Sequence, residues 1–339
     1  MMWSKGGTSV FSGIAIAVFA GISLLKIPLA AADKFDPKTA RFTLRLKGDL
    51  VPYETMSTFA LPGETVMFET TPLTGGVTEV KVPQGEPTQI TDVKIPRGQS
   101  TPIQNTRWQW RAPLQTGLYR LKISNTAAKD SIHLNVFVMV PYSEMKGGVL
   151  SGYRIGDYPA VPLKNNPIYK RPRGFVEVTR ENEDTHLTPH FKLKQFLCKQ
   201  SDGYPKYLVS NERLLLKLEA ILQRVNELGY TCKTFFVMSG YRTPFYNKVL
   251  ENVMYSEHVY GSAADIYIDT NDDKMIDDLN HDGKISYEDA VVLAAIVDQM
   301  DHDPRWSVFV GGLGIYHSTA AHGPFVHVDV RGRAARWKS

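Results

Sequence analysis

The sequence predicts an α+β protein: an N-terminal β-sandwich of immunoglobulin-like type over residues 40–142, then an α+β domain over 186–339 with a central antiparallel sheet and an inserted calcium loop. Three observations predict it. The first half carries short alternating apolar runs separated by turn residues, the pattern of a sandwich rather than a parallel sheet. The second half carries one long amphipathic helical repeat followed by isolated strands of period two. Between two of those strands lies a short run of oxygen-bearing side chains at alternate positions.

At 339 residues, 43% hydrophobic and 22% charged, the chain is ordinary globular material with room for about two domains. A net charge of +4 is too weak and too scattered to argue for nucleic acid, though it suits an anionic polymer. Residues 1–32 read as an export signal: Lys5 precedes an apolar run over 10–25, and Ala30-Ala31-Ala32 offers a cleavage site before Asp33. That run reaches only ~24 Å against a hydrocarbon core of ~30 Å, which favours cleavage, with an uncleaved membrane anchor as the alternative.

In the first domain, Phe42/Leu44/Leu46, Val66/Phe68, Trp108/Trp110, Tyr119/Leu121/Ile123 and Ile132/Leu134/Val136/Val138 mark strands, with turns at Pro62-Gly63 and Gln115-Thr116-Gly117. Trp108 and Trp110 are either core or a carbohydrate-binding face. Residues 143–185 show little periodicity and read as a linker packing on the second domain, with the basic cluster Lys170-Arg171-Pro172-Arg173 as a solvated turn or an anion-binding surface. A core helix is expected over 211–228, capped by Ser210 and stopped by Gly229. The strand over 234–238 then delivers Ser239-Gly240-Tyr241-Arg242. Cys198 and Cys232 are the two cysteines, read either as a disulfide or as two buried thiols.

The chemistry concentrates around Ser256-Glu257-His258-Val259-Tyr260-Gly261-Ser262-Ala263-Ala264-Asp265. Alternation after Gly261 puts Ala263, Asp265 and Tyr267 on one face of a strand, and a turn at the glycine folds His258 back beside the carboxylate. A second strand, Phe325-Val326-His327-Val328-Asp329-Val330-Arg331, presents His327 to the same side. Two histidines and one carboxylate leave a tetrahedral cation an open position, as catalytic zinc sites do.

These motifs, with Gly312-Leu313-Gly314-Ile315-Tyr316, resemble the zinc D-Ala-D-Ala carboxypeptidase and murein endopeptidase superfamily, which also holds lysostaphin-type peptidases and the Sonic hedgehog signalling domain. Their order and the ending Gly332-Arg333-Ala334-Ala335-Arg336-Trp337 are most like the murein endopeptidase K branch. The resemblance covers about residues 186–339. It implies zinc on His258, Asp265 and His327, a substrate-binding role for Arg242, and peptidoglycan as the partner. Many relatives carry a glutamate or histidine two or three residues before the last ligand, where this chain has Phe325 and Pro324. The general base is then sought in His322, with His317 beside it, while Asp329 is expected to orient the imidazole of His327.

The oxygen-rich run fits a calcium loop: Asp278, Asn280, Asp282, Lys284 (through its carbonyl), Ser286 and Asp289 occupy positions 1, 3, 5, 7, 9 and 12, with Gly283 at the sharp turn. It resembles an EF-hand or dockerin half, with aspartate in place of the usual final glutamate. Asp269, Asn271, Asp273 and Asp277 repeat part of the spacing, with Lys274 where glycine is wanted. The expected function is that of an exported, periplasmic or membrane-tethered zinc peptidase that cuts amide bonds in peptidoglycan. A non-catalytic wall-binding or protein-binding module and a peptidase of proteins or small dipeptides are the alternatives.

Overall fold

The computed structural model describes residues 35–71, 78–81, 90–93 and 106–339; the export signal expected over residues 1–32 lies outside them. Among the described residues nine strands build two sheets in the first half: β1 (Thr39–Leu46), β2 (Asp49–Tyr53), β3 (Thr55–Ala60), β4 (Thr65–Thr71), β5 (Thr78–Lys81), β6 (Ile90–Val93), β7 (Thr106–Arg111), β8 (Gly117–Asn125) and β9 (Asp130–Val138). One sheet has the order β2-β1-β4-β7-β6, the other β3-β9-β8-β5. The alternation works as period two requires: Phe42, Leu44, Leu46, Phe68 and Trp110 from one sheet and Leu121, Ile123, Leu134 and Val136 from the other share one buried cluster. The β3–β9 pair is parallel, a departure from hairpin-only connectivity. Trp110 is fully buried against Tyr119 and Trp108 packs on the same cluster, so these rings belong to the core rather than to an exposed glycan platform.

The stretch read as a linker is structured. β10 (Val140–Pro141) leads into it, and it holds β11 (Val149–Leu150), β12 (Tyr153–Arg154) and β13 (Gly174–Val178). Strand β13 pairs with β10 and with β16 (Lys206–Leu208). The hairpin of β14 (His186–Thr188) and β15 (Phe191–Lys192) comes between them in the chain. Tyr153, Tyr158, Tyr169, Phe175, Tyr207 and Tyr260 form a second buried cluster. Aromatic residues without regular spacing carry no periodic signal, although they bury large areas. The basic cluster is spent locally: Arg173 pairs with Glu64 at 2.7 Å and Arg171 lies over the Tyr142 ring.

Helix α1 (Glu212–Glu227) buries Leu214, Leu218, Ile221, Leu222 and Val225 at helical spacing. Its cap is Asn211, whose side chain accepts from Arg213 N, in place of the expected Ser210. Both ends of the chain's architecture meet here: Glu212 accepts from Lys47 Nζ at 2.6 Å and from Thr58 Oγ1 at 2.8 Å, and Arg213 pairs with Asp49. Residues 35–339 accordingly form one compact unit.

The remaining elements are β17 (Phe236–Ser239), α2 (Pro244–Val249), β18 (Ala263–Tyr267), α3 (Tyr287–Asp301), β19 (Gly312–Tyr316), β20 (Phe325–Asp329) and β21 (Ala335–Lys338). Their five strands make a sheet of order β17-β18-β20-β19-β21, antiparallel except for the β19–β21 pair. The protein is thus mixed α+β, mostly sheet with few helices. Cys198 and Cys232 are free buried thiols: Cys198 Sγ donates to Gln200 Oε1 and Cys232 Sγ to the Thr234 carbonyl. Burial raises the pKa of both, that of Cys232 to about 12, which keeps them as protonated core residues.

Candidate metal centre

Strand register builds the site. Across the sheet Ser239 lies opposite Asp265, Asp265 opposite His327, His327 opposite Gly314, and Gly314 opposite Trp337. Residues at one level of adjacent strands share a face, so this row sets the two ligands side by side. A bulge between Val237 and Ser239 brings the serine into the row. Gly314 is required there, because a Cβ would lie 2.4 Å from the Trp337 indole, whose ring packs 5.1 Å from that of His327.

His258 arrives from outside the sheet on a 3-10 turn, Glu257–Tyr260, that Gly261 ends with φ 66°. A Cβ on Gly261 would also lie 2.2 Å from the Val209 carbonyl oxygen. Conformation and space both demand glycine. The second aromatic cluster braces this turn, since the Tyr158 hydroxyl donates to the Val259 carbonyl and shares a 2.7 Å bond with the Tyr241 hydroxyl.

His258 Nε2 lies 3.1 Å from both Asp265 Oδ1 and His327 Nδ1, and the last two atoms are 2.9 Å apart. Each ring's far nitrogen faces an acceptor: His258 Nδ1 is 2.7 Å from the Gly240 carbonyl oxygen and His327 Nε2 is 3.2 Å from Asp329 Oδ2. Those acceptors place the protons outward, so in the neutral rings both inward nitrogens present lone pairs. Two lone pairs and a carboxylate oxygen then meet with no donor among them. Such a triangle suits a cation at its centre, and His258, Asp265 and His327 could hold a metal ion. Among the described residues no other three His, Cys, Asp or Glu ligand atoms converge in this way.

Protonation follows the same geometry. Burial drives the His258 pKa down, with Asp265 opposing. Burial also works against a charged His327, yet its bonds to Asp265 and Asp329 raise its pKa. Although burial favours a neutral carboxyl, His258 and His327 hold the Asp265 pKa well below the usual range. Asp329 is held low against burial by His327 and Arg331. Its oxygens also accept from Gly312 N and Arg331 N, so every contact of Asp329 is spent on fixing neighbours. It orients His327 and is not placed to take a proton from a substrate.

A cavity of about 890 Å³ opens beside the triad, lined among others by Arg242, Tyr246, Tyr255, His322 and Trp337. Arg242 points one Nη at Asp265 Oδ2, 2.5 Å away, and its Nε at Ser239 Oγ, leaving Nη1 without a partner among the described residues. His322 sits on the cavity wall with Nδ1 donating to the Gly323 carbonyl and its ring edge-on to Phe325. His317 instead stacks on Tyr287 at 3.7 Å and is not part of that wall.

Glu257 escaped the sequence reading. It directly precedes a ligand, is 2% exposed, lines the cavity, and neither of its oxygens meets a hydrogen-bond partner. Arg331, at 3.8 Å, is its nearest cation. The available signal is the glutamate directly before the first ligand in Ser256-Glu257-His258.

The loop over residues 278–289 closes on its own backbone amides. Asp278 accepts from the amides of Asp282 and Gly283, Asn280 from Asp282 N, and Asp282 from Lys284 N, with Gly283 at φ 82°. Ser286 caps α3, and Asp289 turns both oxygens onto the amides of Leu279, Asn280 and Ser286. Asp289 therefore serves as helix cap and loop clasp in this structure. The upstream run repeats the wrap, Asp269 accepting from Asp273 N and Lys274 N, with Lys274 itself at φ 65°.

A scan against protein-family models returned no match, and no curated protein matched the chain.

Glu257 generates a pH prediction. Burial lifts its pKa to about 6 from the ordinary 4.5, with Asp329 adding and Tyr169 and Arg331 opposing. A carboxyl with a raised folded pKa contributes stability that is fully present below the unfolded pKa and lost as pH rises through the folded one. In metal-free protein, Glu257→Gln is therefore expected to gain about 2 kcal/mol over wild type at pH 8 and nothing at pH 4, read by urea unfolding. An equal difference at both pH values would contradict the assignment.

Proposed function

We propose that the chain is an exported zinc peptidase that hydrolyses amide bonds in peptidoglycan, of the D-Ala-D-Ala carboxypeptidase and murein endopeptidase superfamily. The observation that carries this reading is the converging triad, two imidazoles whose far nitrogens face acceptors and one carboxylate, set on the wall of an open cavity. Nitrogen and oxygen donors in a set of three match zinc in a site that keeps one position for substrate or water. When bound there, zinc supplies an acidified water and a Lewis acid for the scissile carbonyl.

The chain's own residues do the rest. The Gly240 carbonyl and Asp329 fix the two rings, and Arg242 neutralises the outer oxygen of Asp265. The free Nη1 of Arg242 donates to a carboxylate of the peptide. His322 is the proton acceptor on the cavity wall, its Nε2 available while Nδ1 holds the Gly323 carbonyl. The alternative is a metal-bound wall-binding module without turnover, favoured by the commitment of Asp329 to neighbours and by the apolar Phe325 ahead of His327.

The paired first-half sheets serve in this reading as an immunoglobulin-like spacer, and the apolar N-terminus as a signal or tether to the periplasmic side. The loop of residues 278–289 takes calcium in a structural role, as a dockerin-like half embedded in the peptidase domain. Millimolar calcium is then expected to raise the melting temperature, because a ligand at ~100 times its Kd adds about 2.7 kcal/mol. Asp282→Ala should abolish that shift, and an equal shift in the variant would remove calcium from this loop.

The decisive test is mass spectrometry of fragments released from purified sacculi by the zinc-loaded full chain. Wild type should release stem peptides, and His258→Ala should lower release ~10³-fold, the scale of a few kcal/mol of transition-state stabilisation. No release by wild type, with zinc bound and sacculi retained on the protein, would leave the binding module.

A further inference from the structure

A second cavity, about 520 Å³, adjoins the metal cavity, and Lys199 and Phe236 line both. Its wall also carries Lys194, Tyr204 and Lys206. The cations of this region differ in how they are used. Lys194 is paired with Asp184 at 2.9 Å, and Lys206 holds the Gln200 carbonyl and lies over the Tyr204 ring. In the metal cavity Arg242 is tied to Asp265 and Arg331 to Asp329, while Lys274, whose ammonium has no partner among the described residues, lines the metal cavity alone and not the junction of the two. Lys199 has no hydrogen-bond or ion-pair partner among the described residues, and it stands where the two cavities join.

The acids facing the second cavity do not compensate it. Glu183 is engaged by the Tyr204 hydroxyl and by Arg180, and Asp269 by the amides of Asp273 and Lys274; only Asp272 is left on that wall. Desolvation by the walls pushes the Lys199 pKa below its ordinary value, and Arg242 pushes it the same way while Asp265 opposes. A cation already partly stripped of water and left without a counterion gains more than a solvated one from an arriving anion.

From the joined cavities and the unpaired ammonium between them, we propose that Lys199 binds a carboxylate of the peptide substrate, one set back from the bond that is cut. The peptide then runs from the metal cavity into the second one, with Arg242 holding the carboxylate close to the triad and Lys199 the more distant one. Lys199 thereby selects acidic peptides over their amidated forms. The proposal rests on the peptidase reading for its substrate class.

The probes are two synthetic, dye-labelled stem peptides ending in D-Ala-D-Ala, one with its internal carboxylate free and one with it amidated. Their affinity for the zinc-loaded full chain is read by fluorescence anisotropy. Wild type should bind the free acid about tenfold more tightly than the amide, the size of one charge-assisted contact. Lys199→Met should erase that preference and Lys199→Arg should keep it, while binding of the amidated peptide stays the same in all three. Equal binding of both peptides by wild type, no binding of either, or a preference that survives in Lys199→Met would overturn the assignment. Failure of the peptidase reading shows separately, as intact sacculi after incubation with the same protein preparation.

Discussion

Three electron pairs meeting without a proton between them set the constraint on which the second half of this protein depends. His258 Nε2, His327 Nδ1 and Asp265 Oδ1 lie about 3 Å apart because the Gly240 carbonyl and Asp329 hold the ring protons on the far sides. With both rings neutral, this arrangement is a concentration of acceptors in a buried place, and burying unpaired acceptors costs free energy, a cost that the raised pKa of His327 reflects. The Arg242 guanidinium offsets part of that cost from the outer oxygen of Asp265. A cation at the centre removes the rest. The outer partners are thus as necessary as the ligands themselves, since turning either ring would point an N–H into the triangle.

The scaffold that holds the triad is a single row across five strands. Ser239, Asp265, His327, Gly314 and Trp337 occupy one level, and each has a reason to be what it is. Serine accepts from Arg242, glycine makes room for the indole, and the indole packs on the imidazole it adjoins. The opposite faces of the same strands carry Val326, Val328, Ala264 and Ile266 into the core beneath α3. Position 258 is reached by a different route, a 3-10 turn pressed against the tyrosine cluster of residues 153–175, so the segment between the two halves belongs to the site's foundations.

Much of this was legible in the chain. Period-two alternation around Asp265 and His327 places both on one face, and the glycine after the His258 turn announces a reversal. Side-chain oxygens at alternate positions close residues 278–283 and 269–274 onto their own amides, with Lys274 in the left-handed conformation expected of a glycine. Other parts had no local signal. The tyrosines of residues 153–175 are irregularly spaced, so nothing marked them as core. Asn211 and Ser210 are both competent caps, and only the backbone geometry decides for Asn211. Glu257 could not be placed because a 3-10 turn follows neither the strand nor the α-helix period, leaving the direction of a residue beside the ligand open.

The central claim is that the triad holds zinc, and X-ray absorption spectroscopy of the purified full chain tests it most directly. The account predicts one zinc per chain, with two nitrogen ligands and the remaining scatterers oxygen at ~2.0–2.2 Å, and loss of that signal in Asp265→Ala. A protein that takes up no zinc, or binds it through sulfur at ~2.3 Å, would contradict it.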